Sequence, residues 1–179
     1  MLGVAHAERA RLGRTIQFAP ADSWDRDSVC AGWRNRDVVA HLAAQDTAAA
    51  QLVDGGPAVE FVAFREANDG DLWVSGFNEW AVRTRAERPA RGVIGDWGRG
   101  ADAFLTLVGR LTDEDWRERR VDWVAGEIGV RYLVQSRAIE WWFHGEDLLE
   151  GSGHWGLAPS EMPAQDKKPD AFVEGRGLA

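Results

Sequence analysis

A line of polar side chains runs through the most aromatic segment of this chain, and no other feature narrows its fold as much. In "AIEWWFHGEDL", Ala138 to Leu148, three large aromatics stand side by side: Trp141, Trp142 and Phe143. On a helix they project in three directions, so part of that surface must be buried. Yet Arg137, Glu140, His144 and Asp147 recur at steps of 3, 4 and 3, the spacing that puts side chains on one helical face. The segment therefore reads as a helix from Val130 to about Glu150, closed by Gly151. Charge borders its apolar surface.

A second helix has the same character. Asp37, His41 and Gln45 form a polar line beside Val38 and Leu42 in "RDVVAHLAAQDTAAAQLV", which ends at the stop signal Gly55-Gly56-Pro57. Asn35 is the expected N-cap, and Asp37 in the first turn suits the helix dipole. Two readings compete. The stripes can be solvated faces, with a surface Glu140–His144 contact and a hydrogen-bonded core His41. Alternatively, His41, Glu140 and His144 meet around a divalent metal, since buried charge is costly unless paired or metal-bound. Two imidazoles and one carboxylate with a fourth position open is the pattern of catalytic zinc, at about 2.0–2.2 Å per ligand. Imidazole also suits nickel, iron and copper.

The rest of the chain supports an all-α class. Leu2, Ala5, Leu12 and Ile16 repeat at roughly helical spacing. The stretch from Ala19 to Asn35, with Pro20 and Gly32, reads as a loop anchored by Trp24 and Trp33. Trp73, Phe77, Trp80, Ala81 and Thr84 share a helical face, and Pro89 ends that pattern. Ala101, Phe104, Leu105, Val108 and Leu111 fit the i, i+3, i+4, i+7 template more closely. Thr112 to Gly129 holds two short extended pieces. From Gly151 the chain is rich in Gly, Pro and charge, which predicts a loosely packed or disordered tail. The expected layout is a helical bundle over 1–150 and an irregular tail over 151–179.

Bulk properties exclude several functions. The net charge is −8 with no basic cluster, which argues against nucleic acid and anionic membranes as partners. No apolar run reaches about 18 residues and the first residues lack an apolar h-region, so neither a membrane span nor a signal peptide is expected. Cys30 is the single cysteine. That rules out an intrachain disulfide and suits a cytoplasmic setting.

Two segments resemble a known family. "CAGWRNRDVVAHLAAQD", Cys30 to Asp46, is similar to the "gW-x-x-r-D-v-v-a-H-L" motif of the mycothiol-dependent maleylpyruvate isomerase family. "YLVQSRAIEWWFHGEDL", Tyr132 to Leu148, is similar to its "R-x-x-E-x-w-x-H-g-x-D-L". "LTDEDWRERRVDW" resembles the segment before the last helix, and the similarity spans about residues 5 to 150. The family's N-terminal domain belongs to the DinB/YfiT-like superfamily. The resemblance implies a DinB/YfiT-like four-helix bundle with His41, Glu140 and His144 as ligands of a divalent metal. It also implies mycothiol as cosubstrate. A metal-activated thiolate would be the nucleophile, adding to a cis double bond and leaving after rotation; related members transfer thiols instead. Family isomerases commonly carry a second C-terminal domain, for which Gly151 to Ala179 is too short.

Other residues have two readings each. Asp147, one turn beyond His144, is a candidate acceptor for the imidazole N–H of a metal-bound histidine, or a solvated helix-end aspartate. Asp37 is a similar candidate, with the helix-dipole role beside it. Arg137 is expected to pair with Glu140 or to hold a substrate carboxylate. Arg83, beside Trp80, is a candidate anchor for a carboxylate of cofactor or substrate, or an ordinary exposed arginine. Cys30 reads as a small packed residue rather than a nucleophile. Two functions follow. One is a zinc-dependent, thiol-using isomerase or S-transferase acting on a small electrophile. The other is a non-catalytic metal-binding module acting in dimerisation or regulation, as a homodimer for instance.

Overall fold

The computed structural model describes residues 1–151. The expected tail, with Trp155 and His154, lies outside the described residues. Four long helices carry the fold: α1 (Leu2–Phe18), α2 (Asn35–Val53), α5 (Ala90–Val108) and α7 (Val130–Gly151). Between them lie the short helices α3 (Val59–Ala67), α4 (Val74–Arg83) and α6 (Asp113–Glu118). Each long helix touches two others: α2 packs on α5 and α7, and α1 packs on the same two. The four close into a ring around one core, as the all-α bundle expectation requires. Its centre includes Leu12, Val38, Leu42, Phe104, Leu133 and Trp141, all sealed from solvent.

The α2–α5 contact is the tightest. Alanines 43, 44, 48 and 49 of α2 are fully buried. Gly100 of α5 has no room for a side chain, since a Cβ there would meet Thr47 Oγ1 at 2.9 Å and Thr47 N at 3.0 Å. Small residues on both helices let their backbones approach closely.

Several local expectations shift. The N-cap of α2 is Arg34, and Asn35 is its first helical residue. Asn35 is buried, and its amide donates to the Ser23 carbonyl at 3.0 Å, so it ties the preceding loop to the helix. The α2 stop is placed as expected: the helix ends at Val53 and Gly55 takes φ +88°, a conformation open to glycine. Helix α3 was not anticipated; after the Gly-Gly-Pro break it buries only Phe61 and Phe64. The two extended pieces pair as an antiparallel hairpin of β1 (Arg120–Trp123) and β2 (Gly126–Gly129). Gly126 takes φ +110° where β2 begins, across from Trp123. Among the described residues, no helix is long and apolar enough to cross a membrane.

Candidate metal centre

Both polar lines are largely interior rather than solvated. On α2, Asp37, His41 and Gln45 are all buried. On α7, Arg137 is fully buried and Glu140 and His144 are half-buried. The contact between α2 and α7 brings the two lines together. His41 Nε2 lies 3.1 Å from Glu140 Oε2, and His144 Nε2 lies 3.3 Å from the same oxygen. The imidazole rings stand edge to face with centroids 5.0 Å apart. Two nitrogens and one carboxylate oxygen thus sit within 4.8 Å of one another.

These atoms fit a metal. Ligands about 2.05 Å from a tetrahedral ion lie about 3.3–3.4 Å apart, and the two imidazole–carboxylate separations are already close to that. The charge state fits as well. Burial works against an ionised Glu140, but bonds from His144 and His41 and the charge of Arg137 hold its carboxyl well below the usual range. Burial keeps His41 below its ordinary pKa and hence neutral. Burial also opposes charge on His144, but Asp147, Cys30 and Glu140 outweigh it and hold that imidazole well above its ordinary value. A metal would take the place of that proton. Side-chain exposure is 3% at His41 and 33% at Glu140, so the outer side of the cluster is reached past Glu140. Among the described residues, no fourth Cys, His or acidic ligand joins this donor group.

The surroundings hold each donor. Asp147 Oδ2 lies 2.8 Å from His144 Nδ1, so this carboxylate fixes the ring's orientation and leaves Nε2 facing Glu140. Cys30 Sγ stands 3.4 Å from the same oxygen, closer to the site than its reading as a packed loop residue implies. Trp33 packs against His41 with ring centroids 5.4 Å apart, and its Nε1 donates to Glu79 Oε1 at 3.0 Å. Gln45 Nε2 donates to Asn78 Oδ1 at 2.7 Å. Helix α4 therefore flanks the centre.

The other candidates stand around this group or apart from it. Asp37 accepts from the backbone and guanidinium of its N-cap Arg34, so it secures the first turn of α2 and is not a bonded partner of His41. Arg137 pairs with Glu140 Oε2 at 3.8 Å, as expected, and also donates a hydrogen bond to Asp46 at 3.3 Å. Arg83 is exposed at the end of α4, one turn past Glu79, and no hydrogen bond or ion pair joins it to the centre. Asp46 was not singled out from the sequence. It is fully buried and accepts from Trp141 Nε1 at 2.7 Å. A lone acid in the apolar run "HLAAQDTAAA" was the available signal.

A family model described as the mycothiol maleylpyruvate isomerase N-terminal domain matches residues 5–149. The chain belongs to that family. Its fold is similar to a crystal structure of the mycothiol-dependent maleylpyruvate isomerase, with a TM-score of 0.66 at 16% identity. A histidine-to-alanine mutant of that isomerase matches with a TM-score of 0.66 at 15% identity. In both comparisons 90% of this chain is covered, and the chain spans 62% of the solved structure. Comparison with curated proteins gave no significant match.

Proposed function

We propose that this chain is a metal-dependent enzyme that activates a low-molecular-weight thiol at His41, Glu140 and His144. Membership of the family supports the thiol, with mycothiol first among candidates, and isomerisation or S-transfer as the reaction. The observation that carries the proposal is the convergence of three donors on one point with no fourth protein ligand among the described residues. That leaves a coordination position for a substrate, which distinguishes a catalytic from a structural site and weighs against the non-catalytic module. Zinc suits the donor set best.

A divalent metal bound there would supply Lewis acidity that lowers the pKa of a thiol reaching the open side. The chain's own groups do the rest. Glu140 contributes the negative charge, and His41, fixed between Trp33 and Glu140, contributes a neutral nitrogen. Asp147 holds His144 in the tautomer that presents Nε2 inward. Arg83 shares a face of α4 with Glu79 and is the proposed anchor for a carboxylate of thiol or substrate. Its replacement by methionine should raise KM and leave metal content unchanged. The setting proposed is the cytoplasm, where low-molecular-weight thiols are kept reduced.

The deciding experiment is metal analysis of the purified protein, followed by a thiol-dependent assay on a cis-unsaturated dicarboxylate with and without chelator. One metal per chain and chelator-sensitive turnover support the reading. A metal-free protein that remains so after zinc loading rejects it.

A further inference from the structure

Beside Glu140 lies a buried polar pair, Arg137 and Asp46, that is not among the three candidate donors. Arg137 of α7 and Asp46 of α2 are both sealed from solvent, with side-chain exposures of 1% and 0%. Arg137 Nη1 donates to Asp46 Oδ1 at 3.3 Å. Trp141 Nε1 donates to the other carboxylate oxygen at 2.7 Å. The guanidinium also lies over the Trp123 ring, 5.3 Å from its centroid. Arg137 Nη2 approaches Glu140 Oε2 to 3.8 Å, and that oxygen is the one facing both imidazoles.

A fixed cation this close to the ligating oxygen is a problem for a metal site. In a low-dielectric interior its charge would act on an incoming divalent ion with little screening. Arg137 cannot lose its proton to relieve this. Its neutraliser must therefore be another buried group. Asp46 is the carboxylate that meets it, and Trp141 leaves that carboxylate little freedom to turn away.

Building on the proposed metal reading, we infer that Asp46 is a positioning and charge-balancing residue of the centre, acting through Arg137 so that Glu140 offers its full charge to the metal. Burial raises the Asp46 carboxyl to about 6, against the pull of Arg137 and Trp141, which still leaves it mostly ionised at neutral pH. With Asp46 ionised, the Arg137–Asp46 pair is neutral. The metal then sees one carboxylate and two neutral imidazoles. Without Asp46 it would see an extra buried positive charge.

The test is metal affinity, measured by competing zinc against a chromophoric chelator and checked with the d–d spectrum of the cobalt-loaded protein. Asp46→Asn keeps the size of the side chain and an acceptor for Trp141. It should weaken metal binding about 10–100-fold, the usual scale for outer-shell partners. The double variant Asp46→Asn/Arg137→Met removes both charges and should restore affinity to near the natural value, a rescue that lost packing would not give. Gly100→Ala, which crowds the backbone beside Asp46, should lower the melting temperature and leave affinity unchanged. Unchanged affinity in Asp46→Asn, or a double variant as weak as that single one, would overturn the inference. Should Asp46→Asn not fold, Arg137→Met decides. Affinity equal to or tighter than the natural protein supports charge balance, and a loss of tenfold or more contradicts it. Failure of the natural protein itself to bind metal would reject the metal reading instead, so the two failures are separable.

Discussion

At the residue scale, the candidate centre is built from side chains whose partners set their charge. Asp147 meets His144 Nδ1 at 2.8 Å, leaving Nε2 to face Glu140. Asp147→Asn should therefore weaken zinc binding by about 10–100-fold, read by chelator competition. Cys30→Ser should cost less than Asp147→Asn, because a thiol at 3.4 Å from Asp147 is only a weak donor. Equal losses in the two variants would mean that Cys30 shares the holding role. Asp46 gives a pH prediction. Its folded pKa of about 6 lies above the ordinary 3.8, so between those values the folded protein keeps a proton that the unfolded chain has released. Its contribution to stability is thus largest in acid and falls as pH rises through that window. Asp46→Asn has no such group. In the metal-free protein, the variant should gain stability relative to the natural chain from pH 4 to about 6, then run parallel to it. Thermal melts across that range would show it, and a constant difference would remove Asp46 from the titration.

At the element scale, what was legible in the sequence was what repeats. The periodic apolar positions of α1, α2, α5 and α7 mark these helices, and spacing puts His41 on one polar line and Glu140 and His144 on another beside them. Helix α3 escaped notice because its nine residues bury only Phe61 and Phe64, too few to show a period. Asp46 is not legible because it lies five positions past His41, off that residue's line, and because Glu140, three residues on, is the partner that spacing alone offers Arg137. Only the packing of α2 on α7 shows that the arginine's hydrogen bond goes to Asp46. The place of Cys30 beside Asp147 has the same origin, since it depends on how the loop before α2 meets α7. The α2–α5 seam is also a tertiary fact with a local signature. Gly100→Ala places a methyl where Thr47 N and Oγ1 already stand at about 3 Å. Overpacking of this kind costs about 1–3 kcal/mol, read as a lowered denaturation midpoint. An unaffected midpoint would mean that α5 can move away from α2 freely.

At the scale of the whole molecule, the centre joins α2 to α7 across a sequence gap of 99 residues between His41 and Glu140. Any ligand that binds there and not to the unfolded chain must stabilise the bundle. At free zinc about a thousandfold over Kd the gain is about 4 kcal/mol. His41→Ala should abolish that rise in melting temperature while keeping the helical circular dichroism of the metal-free protein. A rise that persists in His41→Ala would place the metal elsewhere.

The proposed function depends on a three-ligand centre whose remaining position accepts a thiol. The most direct measurement is the absorption spectrum of the cobalt-substituted protein during thiol titration. One cobalt per chain is expected, with a new near-ultraviolet sulfur-to-cobalt charge-transfer band when mycothiol or a simpler thiol is added and proton release as the thiol binds. Glu140→Gln should weaken both the metal binding and the band. A cobalt protein whose spectrum ignores every thiol offered, or a chain that takes up no cobalt at all, would contradict it.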